Sequence, residues 1–417
     1  MAEQGASPSL SLRAEVDAWL ERNWDPSLSL LEWRRLLVTD LWAVPAWPTR
    51  WGGRGWPEWT ESVVLTAVAA SGAVGLPAGV ATGLAGPTIL THGPDSVRER
   101  FLGPLLTGEE TWCQLFSEPG AGSDLAGLTT RAERDGEEWV VNGQKVWNTS
   151  AHHADYGLLL ARTDWDAPKH RGLTYFILPM RQPGVTVLPL RQMNGHASFN
   201  QVFFADARVP ADHVIGTVGD GWAVARTTLA HERRFGAMRG TRPPAGTGRT
   251  IEEARVEAVE NFAPYVWYPQ RAGRADLLIE RAHARGVSLD PVVRQEVARA
   301  MSTERVSAWT AERARMARAA GHPPGPEGSI GKLAMSMLAR SSARAHSLIA
   351  GPSGMLARPD APLDGVVTEV LVSVPAQSIA GGTDEIQHNI LGENVLGLPR
   401  EPSTDRDVPF RRLPRNG

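Results

Sequence analysis

Residues 112–124 form a segment in which glycine, proline and small hydroxyl side chains directly follow an apolar run. Gly120 and Gly122 allow the backbone to approach a ligand closely, because glycine has no Cβ atom. The hydroxyls of Ser117 and Ser123 can both donate and accept hydrogen bonds. A lone Gly-x-Gly is more often an ordinary surface turn. Here the motif is longer and has partner segments further along the chain, so we interpret it as part of a ligand site.

A single carboxylate on an otherwise apolar helix face is the second feature that could take part in a reaction. Spacings of 3, 4, 3 and 4 place five residues on one face of a predicted helix: Trp222, Ala225, Leu229, Glu232 and Gly236. Glu232 is therefore expected to face the interior, an environment that tunes a general base. The alternative is a structural ion pair with a buried arginine.

Other polar residues are assigned structural roles. Glu118 and Asp124 lie within the first segment and are expected to brace it by accepting backbone N–H groups. Glu385 lies at the start of a predicted helix, where capping is the alternative to ligand binding. His152-His153 is an isolated pair without the spacing of a zinc site, and no metal site is predicted.

Three segments of different periodicity must position these residues. Residues 1–110 have helical periodicity, residues 111–217 have the short runs typical of strands, and residues 218–400 are helical again. Residues 401–417 form a polar tail that is expected to be loosely ordered. The predicted fold is α+β, with an N-terminal helical domain, a small β-barrel domain in the middle and a C-terminal helical bundle.

Apolar spacing predicts the individual helices. Those of the first segment are Leu10–Asn23, Ser29–Leu41, Trp59–Ser71, Val80–Thr91 and Ser96–Phe101. Those of the last segment are Asp220 to about Arg239, Ala272–Arg285, Pro291–Ala320 and Ser329–Ile349, with a loop at Thr241–Thr250. Ser29 and Thr383 are predicted N-caps. In the middle segment, Asn142-Gly143 predicts a tight type I′ turn between two strands.

Composition restricts the class of protein. The chain has 417 residues and a formal net charge of −3, so no nucleic-acid partner is implied. The single cysteine, Cys113, excludes an intramolecular disulfide and suits a reducing, cytoplasmic location. Ser62–Thr91 lacks charged residues and is long enough to cross a bilayer. Because Pro77 and Pro87 interrupt it, we predict buried helices rather than a membrane span.

These motifs together resemble the acyl-CoA dehydrogenase family, the flavoenzymes that oxidise acyl-CoA thioesters. The resemblance extends from about Trp47 to Arg400, and it is most specific in Gln114–Asp124 and Ile379–Arg400. Val141–Thr149 is similar to the second flavin strand of the family. The order of helical, β and helical segments is also the layout of the family.

The resemblance implies an FAD cofactor and an acyl-CoA substrate. The residues that match flavin positions are Gln114, Leu115, Phe116, Ser117, Gly122, Ser123, Trp147, Asn148, Thr149, Thr383 and Glu385. Trp147 and Thr149 match residues that cover the isoalloxazine ring and bond its N5 edge, roles that suit an indole and a hydroxyl. A place in the hairpin core is the alternative for Trp147. Ser123, Arg233 and Gly381 match positions near the acyl-CoA, and a solvated charge is the alternative for Arg233.

The family reaction needs a base, because the proton α to the thioester carbonyl is weakly acidic. In many members this base is a Glu before a C-terminal Gly-Thr, but the matching residue here is Gly381, which cannot accept a proton. A second branch, which resembles isovaleryl- and long-chain-type enzymes, carries the Glu on the helix after the β domain, and Glu232 matches it. The Arg-x-x-Phe-Gly motif of the family is not evident. Arg271 and Arg274 are candidate substitutes.

The resemblance implies α,β-dehydrogenation of an acyl-CoA to a trans-2-enoyl-CoA, with electrons passed to an electron-transfer flavoprotein. A flavin oxidase or monooxygenase on the same scaffold is one alternative. A non-catalytic partner subunit of a heteromeric dehydrogenase is the other, favoured by Gly381 and opposed by Glu232. The expected assembly is a homo-oligomer, dimer or tetramer, or a heteromer with a related subunit, as in actinobacterial-type dehydrogenases.

Overall fold

The structure, a computed structural model, describes residues 8–234, 245–320, 322, 325–357, 361–402 and 405–414. It divides into two compact units. The first unit contains the N-terminal helices, the strands, the residues up to 263 and residues 405–414. The second unit contains residues 191–197 and the C-terminal helices. The finer division with boundaries at residues 110, 217 and 400 stays a prediction.

Five α-helices precede the strands. They are α1 (Pro8–Asn23), α2 (Leu30–Thr39), α3 (Trp59–Ser71), α4 (Gly86–His92) and α5 (Asp95–Thr107), and a π-helical turn at Ala81–Ala85 leads into α4. Ser29 caps α2 as predicted, because its hydroxyl accepts the Glu32 N–H at 3.2 Å and its own N–H donates to the Glu32 carboxylate at 2.9 Å.

The predicted end of the fifth helix at Phe101 is wrong. α5 continues through Pro104 to Thr107. Leu105 and Leu106, in this last turn, are fully buried in the core. Apolar packing therefore holds the helix beyond a proline that would end an exposed helix.

The middle of the chain forms an eight-stranded sheet. Its strands are β1 (Trp112–Leu115), β2 (Arg131–Asp135), β3 (Glu138–Thr149), β4 (Tyr156–Arg162), β5 (Leu173–Pro179), β6 (Val185–Leu190), β7 (Phe199–Pro210) and β8 (Val214–Ile215). The hydrogen-bonded path runs in the order β6-β7-β3-β2-β4-β5-β8, and β1 pairs in parallel with β4. β6 and β8 are the two ends of this path.

Asn142 and Gly143 do not form the predicted tight turn. β3 runs through both residues, and the chain reverses before them at Gly136, where φ is +60°. The register of β3 against β7 shifts at Gly143. A Cβ atom there would lie 2.6 Å from Thr130 Oγ1, and φ is +148°. The glycine therefore permits a close strand contact at an irregularity and does not make a turn.

Among the residues that the structure describes, two α-helices follow the sheet within the first unit. α6 spans Gly221–Arg234, and the rest of the helix predicted to about Arg239 lies outside the described residues. α7 spans Arg249–Phe262, where no helix was predicted. It packs on α2, and the fully buried Arg34 donates two hydrogen bonds to the Glu257 carboxylate at 2.7 and 2.6 Å. The sequence before α7 is rich in Pro and Gly and was therefore predicted as a loop. The N-cap of α7 is Gly248, which has no side chain to signal the start of the helix.

The sheet is buried on both faces. Leu158 and Tyr175 belong to a hydrophobic cluster shared with α5 and α6. Leu159 and Phe176, their neighbours along β4 and β5, belong to a second cluster formed mainly by strands. Successive side chains of a strand point to opposite faces. The only polar residue of β1 with helix-facing register, Gln114, therefore points to the face of the sheet that α6 covers.

The second unit is helical. Its helices are α8 (Tyr268–Arg271), α9 (Leu278–Ala284), α10 (Pro291–Ala319), α11 (Glu327–Ala350), α12 (Val366–Ser373) and α13 (Asp384–Asn394). The helix predicted at Ala272–Arg285 starts only at Leu278, because Gly273 and Arg274 have φ values of +94° and +47°. α12 was not predicted. Thr383 caps α13 as predicted, accepting the Ile386 N–H at 3.2 Å.

The order of helical, β and helical segments confirms the predicted α+β fold class. Within the described ranges, no helix is long and apolar enough to cross a membrane. The same residues contain no group of three or more His, Cys, Asp or Glu side chains that could hold a metal ion. Residues 405–413 pack against the connection between β4 and β5, so the expectation of a loosely ordered tail is wrong for this stretch.

Candidate active site

The pairing of β1 determines the direction of the Gln114 side chain. In the parallel ladder with β4, Gln114 lies opposite Leu158. Its neighbours Cys113 and Leu115 are fully buried in the strand-rich cluster. Alternation along the strand therefore directs Gln114 to the opposite face, toward α6. Asn148 of β3 fixes the backbone at this point, since its Nδ2 donates to Gln114 O at 2.8 Å.

Three buried hydroxyl groups fix the rotation of α6. Thr228 Oγ1 lies 3.0 Å from Tyr175 OH of β5 and 3.0 Å from Thr88 Oγ1 of α4. All three side chains are fully buried, and Thr228 Oγ1 also donates to Val224 O of its own helix at 3.2 Å, so it connects α6 to both neighbours. Thr228 precedes Glu232 by one helical turn. The same contacts therefore set the direction in which Glu232 leaves the helix.

Glu232 contacts the amide group of Gln114. Gln114 Nε2 donates to Glu232 Oε2 at 3.3 Å. Glu232 is half-buried, and its stripe neighbours Trp222 and Leu229 pack against the core as predicted. Burial raises the pKa of Tyr175, and the negative charge of Glu232 adds to this rise. The site thus combines a held carboxylate with a neutral phenol behind it.

Glu118 braces the signature segment (residues 112–124) from inside the protein. Its carboxylate accepts the N–H groups of Thr129 at 2.7 Å and Thr130 at 2.8 Å, and Lys145 Nζ at 2.8 Å. Lys145 is fully buried. Although burial opposes ionisation, the charge of Lys145 and the donated hydrogen bonds lower the pKa of Glu118 to about 2. The predicted bracing role of Glu118 is confirmed.

The outer part of the signature segment is open. Gly122 and Ser123 are exposed, and Ser117 is half-buried with its carbonyl bound to the chain of β3. The Ser117 hydroxyl has no hydrogen-bond partner in the part of the chain that the structure describes. Asp124 pairs with Lys169 Nζ at 3.1 Å, so the prediction that its side chain accepts backbone N–H groups is wrong. The ammonium group of Lys169 occupies the Asp124 carboxylate instead of a backbone N–H group.

Trp147 lies at an irregularity near the end of β3. Its φ is +63°, and the register against β7 is broken between Lys145 and Asn148. The side chain is 56% exposed, so the alternative of a hairpin core residue is wrong. A non-glycine residue in the left-handed region is strained, and such strain concentrates at functional sites. The bulge turns an indole face toward solvent.

The two residues after Trp147 carry unused polar groups. Asn148 Oδ1 is buried without a hydrogen-bond partner among the described residues. The half-buried hydroxyl of Thr149 also has no partner within the described ranges. These groups are the exposed indole of Trp147, the hydroxyls of Ser117 and Thr149, and the amide oxygen of Asn148. Together they suit a planar heterocycle that stacks on the indole and forms hydrogen bonds. Leu115 and Phe116 differ, since their side chains are buried in the core, and only their backbone is left for a ligand.

The candidate residues near the C terminus belong to the second unit. Gly381 has a φ of +69°, and a Cβ atom there would meet nothing within 4 Å. The Thr383 hydroxyl is used as a cap, and Glu385 is exposed. Asp384 between them is buried against Lys332 Nζ at 2.7 Å. Burial opposes its ionisation, but hydrogen bonds led by that of Lys332 lower the pKa of Asp384 to about 2. This ion pair anchors the start of α13.

The candidate arginines have separate roles. The side chain of Arg233 lies outside the described residues. Arg271 Nε donates to Gln377 Oε1 at 3.1 Å, and burial lowers its pKa. Arg274 pairs with Asp276 at 2.8 Å. Whether either replaces the arginine of the missing motif stays a prediction.

Sequence reasoning missed three residues that position the site. Lys145 is a charged residue at an inward-facing position of a strand-like run. A charge at such a position indicates a buried ion pair. Thr228 lies four residues before Glu232, on the same helix face. Tyr175 gives no signal in the sequence, because its role depends on the docking of α6 on β5.

Three family profiles match the chain in succession. They are described as the N-terminal domain (residues 11–109), the middle domain (residues 113–207) and the C-terminal domain (residues 270–396) of acyl-CoA dehydrogenase. Together they span most of the chain. The middle profile contains Gln114 and the Trp147–Thr149 stretch, whereas Glu232 lies between two profiles.

Two curated relatives are acyl-CoA dehydrogenases of Mycobacterium tuberculosis. IpdE1 is 34% identical over 412 residues, which cover 93% of this chain and 97% of IpdE1. FadE34 is 38% identical over 356 residues, which cover 85% of this chain and 44% of FadE34.

Two solved structures have a similar fold. The "Tcur3481-Tcur3483 steroid ACAD" has a TM-score of 0.65 and 26% identity, covering 96% of this chain and 100% of that one. The ChsE4-ChsE5 complex from Mycobacterium tuberculosis has a TM-score of 0.64 and 26% identity, with the same coverage.

Proposed function

Since the chain belongs to the acyl-CoA dehydrogenase family, we propose that it catalyses FAD-dependent α,β-dehydrogenation of an acyl-CoA thioester to a trans-2-enoyl-CoA. The family places it among the oxidoreductases of lipid metabolism. The relative IpdE1, matched over 97% of its own length, supports an activity of the whole chain rather than of one domain.

The contact between the Gln114 amide and the Glu232 carboxylate carries the proposal. The reaction requires a base that removes the proton α to the carbonyl, and a carboxylate held by a neutral donor can accept it at an oxygen. The hydroxyl network at Thr228 keeps the helix in the rotation that presents Glu232. We therefore assign Glu232 as the base and Gln114 as the residue that orients it.

The strand-end residues support the choice of cofactor. When bound, the flavin accepts the β hydrogen of the substrate as a hydride. We propose that Trp147 covers its ring and that Ser117 and Thr149 bond to it, because the indole is exposed and both hydroxyls are free among the described residues. The exposed Gly122-Ser123 turn would allow backbone approach to flavin and thioester.

Glu232→Gln tests the assignment, because an amide keeps the shape and loses the basicity. We expect the variant to bind FAD and acyl-CoA but to reduce its flavin about 10²–10⁴ times more slowly. Anaerobic rapid mixing with straight-chain, branched and polycyclic side-chain acyl-CoA thioesters measures flavin bleaching directly. Glu252→Gln, an exposed carboxylate in α7, is the control and should behave as the wild type. Bleaching of Glu232→Gln at the wild-type rate would place the base elsewhere.

A second candidate function is that of a partner subunit in a heteromeric dehydrogenase. Gly381 in place of a glutamate and the missing arginine motif favour it, as does the similarity to a complex of two named chains, ChsE4-ChsE5. In that case the flavin of the purified chain would not be bleached by any acyl-CoA thioester. Mixing with a related acyl-CoA dehydrogenase subunit would then restore activity.

We extend the proposal to substrate class and electron acceptor. A similar structure is described as a "steroid ACAD", so polycyclic side-chain thioesters are the first class to assay. Electrons are proposed to leave through an electron-transfer flavoprotein in the cytoplasm. Rapid reaction of the reduced enzyme with oxygen would instead indicate a flavin oxidase or monooxygenase.

A further inference from the structure

Arg162, at the end of β4, is a fully buried cation that binds the chain just after the signature segment. Its guanidinium donates to Ala126 O at 2.7 Å and to Leu128 O at 3.2 Å. It also reaches Lys169 O at 3.3 Å. Within the described residues no carboxylate lies within 4.0 Å of it. Backbone carbonyls therefore accept its hydrogen bonds, while the carboxylates of Glu118, Asp164 and Asp124 favour its charge from a longer distance.

The same short stretch is held from the other end by a buried anion. Glu118 accepts the N–H groups of Thr129 and Thr130, while Arg162 binds the carbonyls of Ala126 and Leu128. Residues 126–130 are thus fixed between two buried side chains of opposite charge. A shift of this stretch would remove two backbone donors from Glu118, which keeps Lys145, and two carbonyl acceptors from Arg162, and this loss is costly in a low-dielectric interior.

Phe410 closes the open side of Arg162. Its ring centroid lies 3.4 Å from the guanidinium carbon, and its side chain is only 5% exposed. Trp165 packs against the same ring at 5.4 Å. Two backbone hydrogen bonds fix the position, from Phe410 N to Ala167 O and from Arg411 N to Trp165 O, both 3.0 Å. Cation–π contacts are strong where water is excluded, as it is here.

Ion pairs connect the same elements at the surface. Lys169 Nζ lies 3.1 Å from Asp124 of the signature segment and 3.5 Å from Asp405. Arg171 pairs with Asp407 at 3.0 Å. The aspartates of these pairs are in contact with solvent, so each pair is individually weak. They orient residues 405–413 over the β4–β5 connection, while Phe410 supplies the buried contact.

We infer that residues 405–413 act as a clamp, in which Phe410 stacks on Arg162 and thereby positions residues 126–130 beside the signature segment. Phe410 and Arg162 are positioning residues in this scheme. The consequence for cofactor binding rests on the proposed function, since it requires the signature segment to contact the flavin. The local ordering itself does not depend on any ligand.

Hydrogen–deuterium exchange of the full-length protein tests the clamp. Phe410→Ala should accelerate exchange of the Thr129 and Thr130 amides about tenfold or more, because local opening becomes easier. Phe410→Tyr keeps the ring and should match the wild type. Arg412→Ala, which removes an exposed side chain two residues after Phe410, is the matched control. Unchanged exchange in folded Phe410→Ala would overturn the inference.

Two further measurements separate the clamp from the cofactor proposal. If Phe410→Ala does not fold, Phe410→Leu replaces it, because leucine fills much of the space but has no aromatic face for Arg162. The exchange of the Thr129 and Thr130 amides is then judged in the same way. Titration with FAD then shows the consequence: weaker binding together with faster exchange supports both proposals. Faster exchange with unchanged FAD affinity supports the clamp and counts against flavin contact by the signature segment. Weaker FAD binding with unchanged exchange overturns the clamp.

Discussion

Gln114 Nε2 lies 3.3 Å from Glu232 Oε2, an amide–carboxylate contact between residues 118 positions apart in the chain. The first residue is placed by the parallel pairing of β1 with β4, and the second by the docking of α6 on β5. A donor aimed at a carboxylate favours its ionised form and fixes its orientation. The contact therefore connects the signature segment to the proposed base.

Gln114→Leu tests this contact. Loss of the donor disfavours the charged carboxylate, so we expect flavin reduction to slow about tenfold and the acid limb of its pH profile to move to higher pH. Gln114→Glu should move the limb further, because two carboxylates would then be adjacent. Anaerobic reduction followed from pH 5 to 9 measures both effects. Gln144→Leu, which removes a hydrogen bond to Gln201, is the control. An unchanged pH profile in Gln114→Glu would exclude the proposed coupling.

Glu118 predicts a specific response to acid. Its folded pKa is lowered from 4.5 to about 2, so the group stabilises the fold above pH 4.5 and loses this contribution as the pH falls toward 2. Glu118→Gln leaves Lys145 buried without an anion, and we expect a loss of roughly 3–5 kcal/mol at pH 7. The difference from the wild type should shrink below pH 4.5. Denaturant unfolding at several pH values measures it, with exposed Glu133→Gln as the control. A difference that does not depend on pH would contradict the assignment.

Thr228→Val tests the hydroxyl network that sets α6. Valine has a similar shape but leaves Tyr175 OH and Thr88 Oγ1 buried without this partner, at a cost of about 1–3 kcal/mol. Unfolding in urea measures the change in stability. Thr91→Val is the control, because its exposed hydroxyl bonds only within its own helix. Equal stability of the two variants would mean that the network does not hold the helix.

Local features of the sequence predicted local structure well. Ser29 and Thr383 could be predicted as caps because each is a hydroxyl residue at the start of a predicted helix, and the amide that each one binds lies three positions later. The stripe that contains Glu232 follows from helical periodicity alone. The contact of Glu232 with Gln114 could not be predicted, since it depends on which face of β1 meets α6.

Features that depend on distant partners were missed or misinterpreted. Asn142-Gly143 has the composition of a turn, but the glycine is required by the close approach of Thr130, the residue just before β2. A polar composition suggested a loose tail, whereas Phe410 has a buried cation as its partner 248 positions earlier, at Arg162. α7 is tied to α2 by the contact of Glu257 with the buried Arg34, which the sequence of α7 alone does not reveal.

The exposed face of α10 predicts an assembly. Trp309 is 64% exposed, and Met301, Val306 and Met316 of the same helix are also exposed. Large apolar side chains that are exposed together on one helix are often covered by another protein. We expect Trp309→Glu to shift the protein to a smaller species in light scattering at micromolar concentration. Ala284→Glu, an exposed position in α9, adds the same charge and should leave the mass unchanged. A wild-type protein that is already a monomer would refute the prediction.

Gly122→Ala separates ligand approach from folding. A Cβ atom at Gly122 would meet nothing within 4 Å, and its φ is not in the left-handed region, so the ligand-free protein should tolerate alanine without loss of stability. If the exposed turn approaches the flavin and thioester as proposed, the added methyl group fills space that the ligands need. We therefore expect unchanged thermal unfolding of the flavin-free protein and FAD or acyl-CoA binding weakened about tenfold or more, measured by fluorescence titration. Gly103→Ala in α5, which is equally open, is the matched control and should bind both ligands normally. Normal binding by Gly122→Ala would show that the ligands do not come close to this turn. A loss of stability in the flavin-free variant would instead show that the turn is packed more tightly than its surroundings indicate.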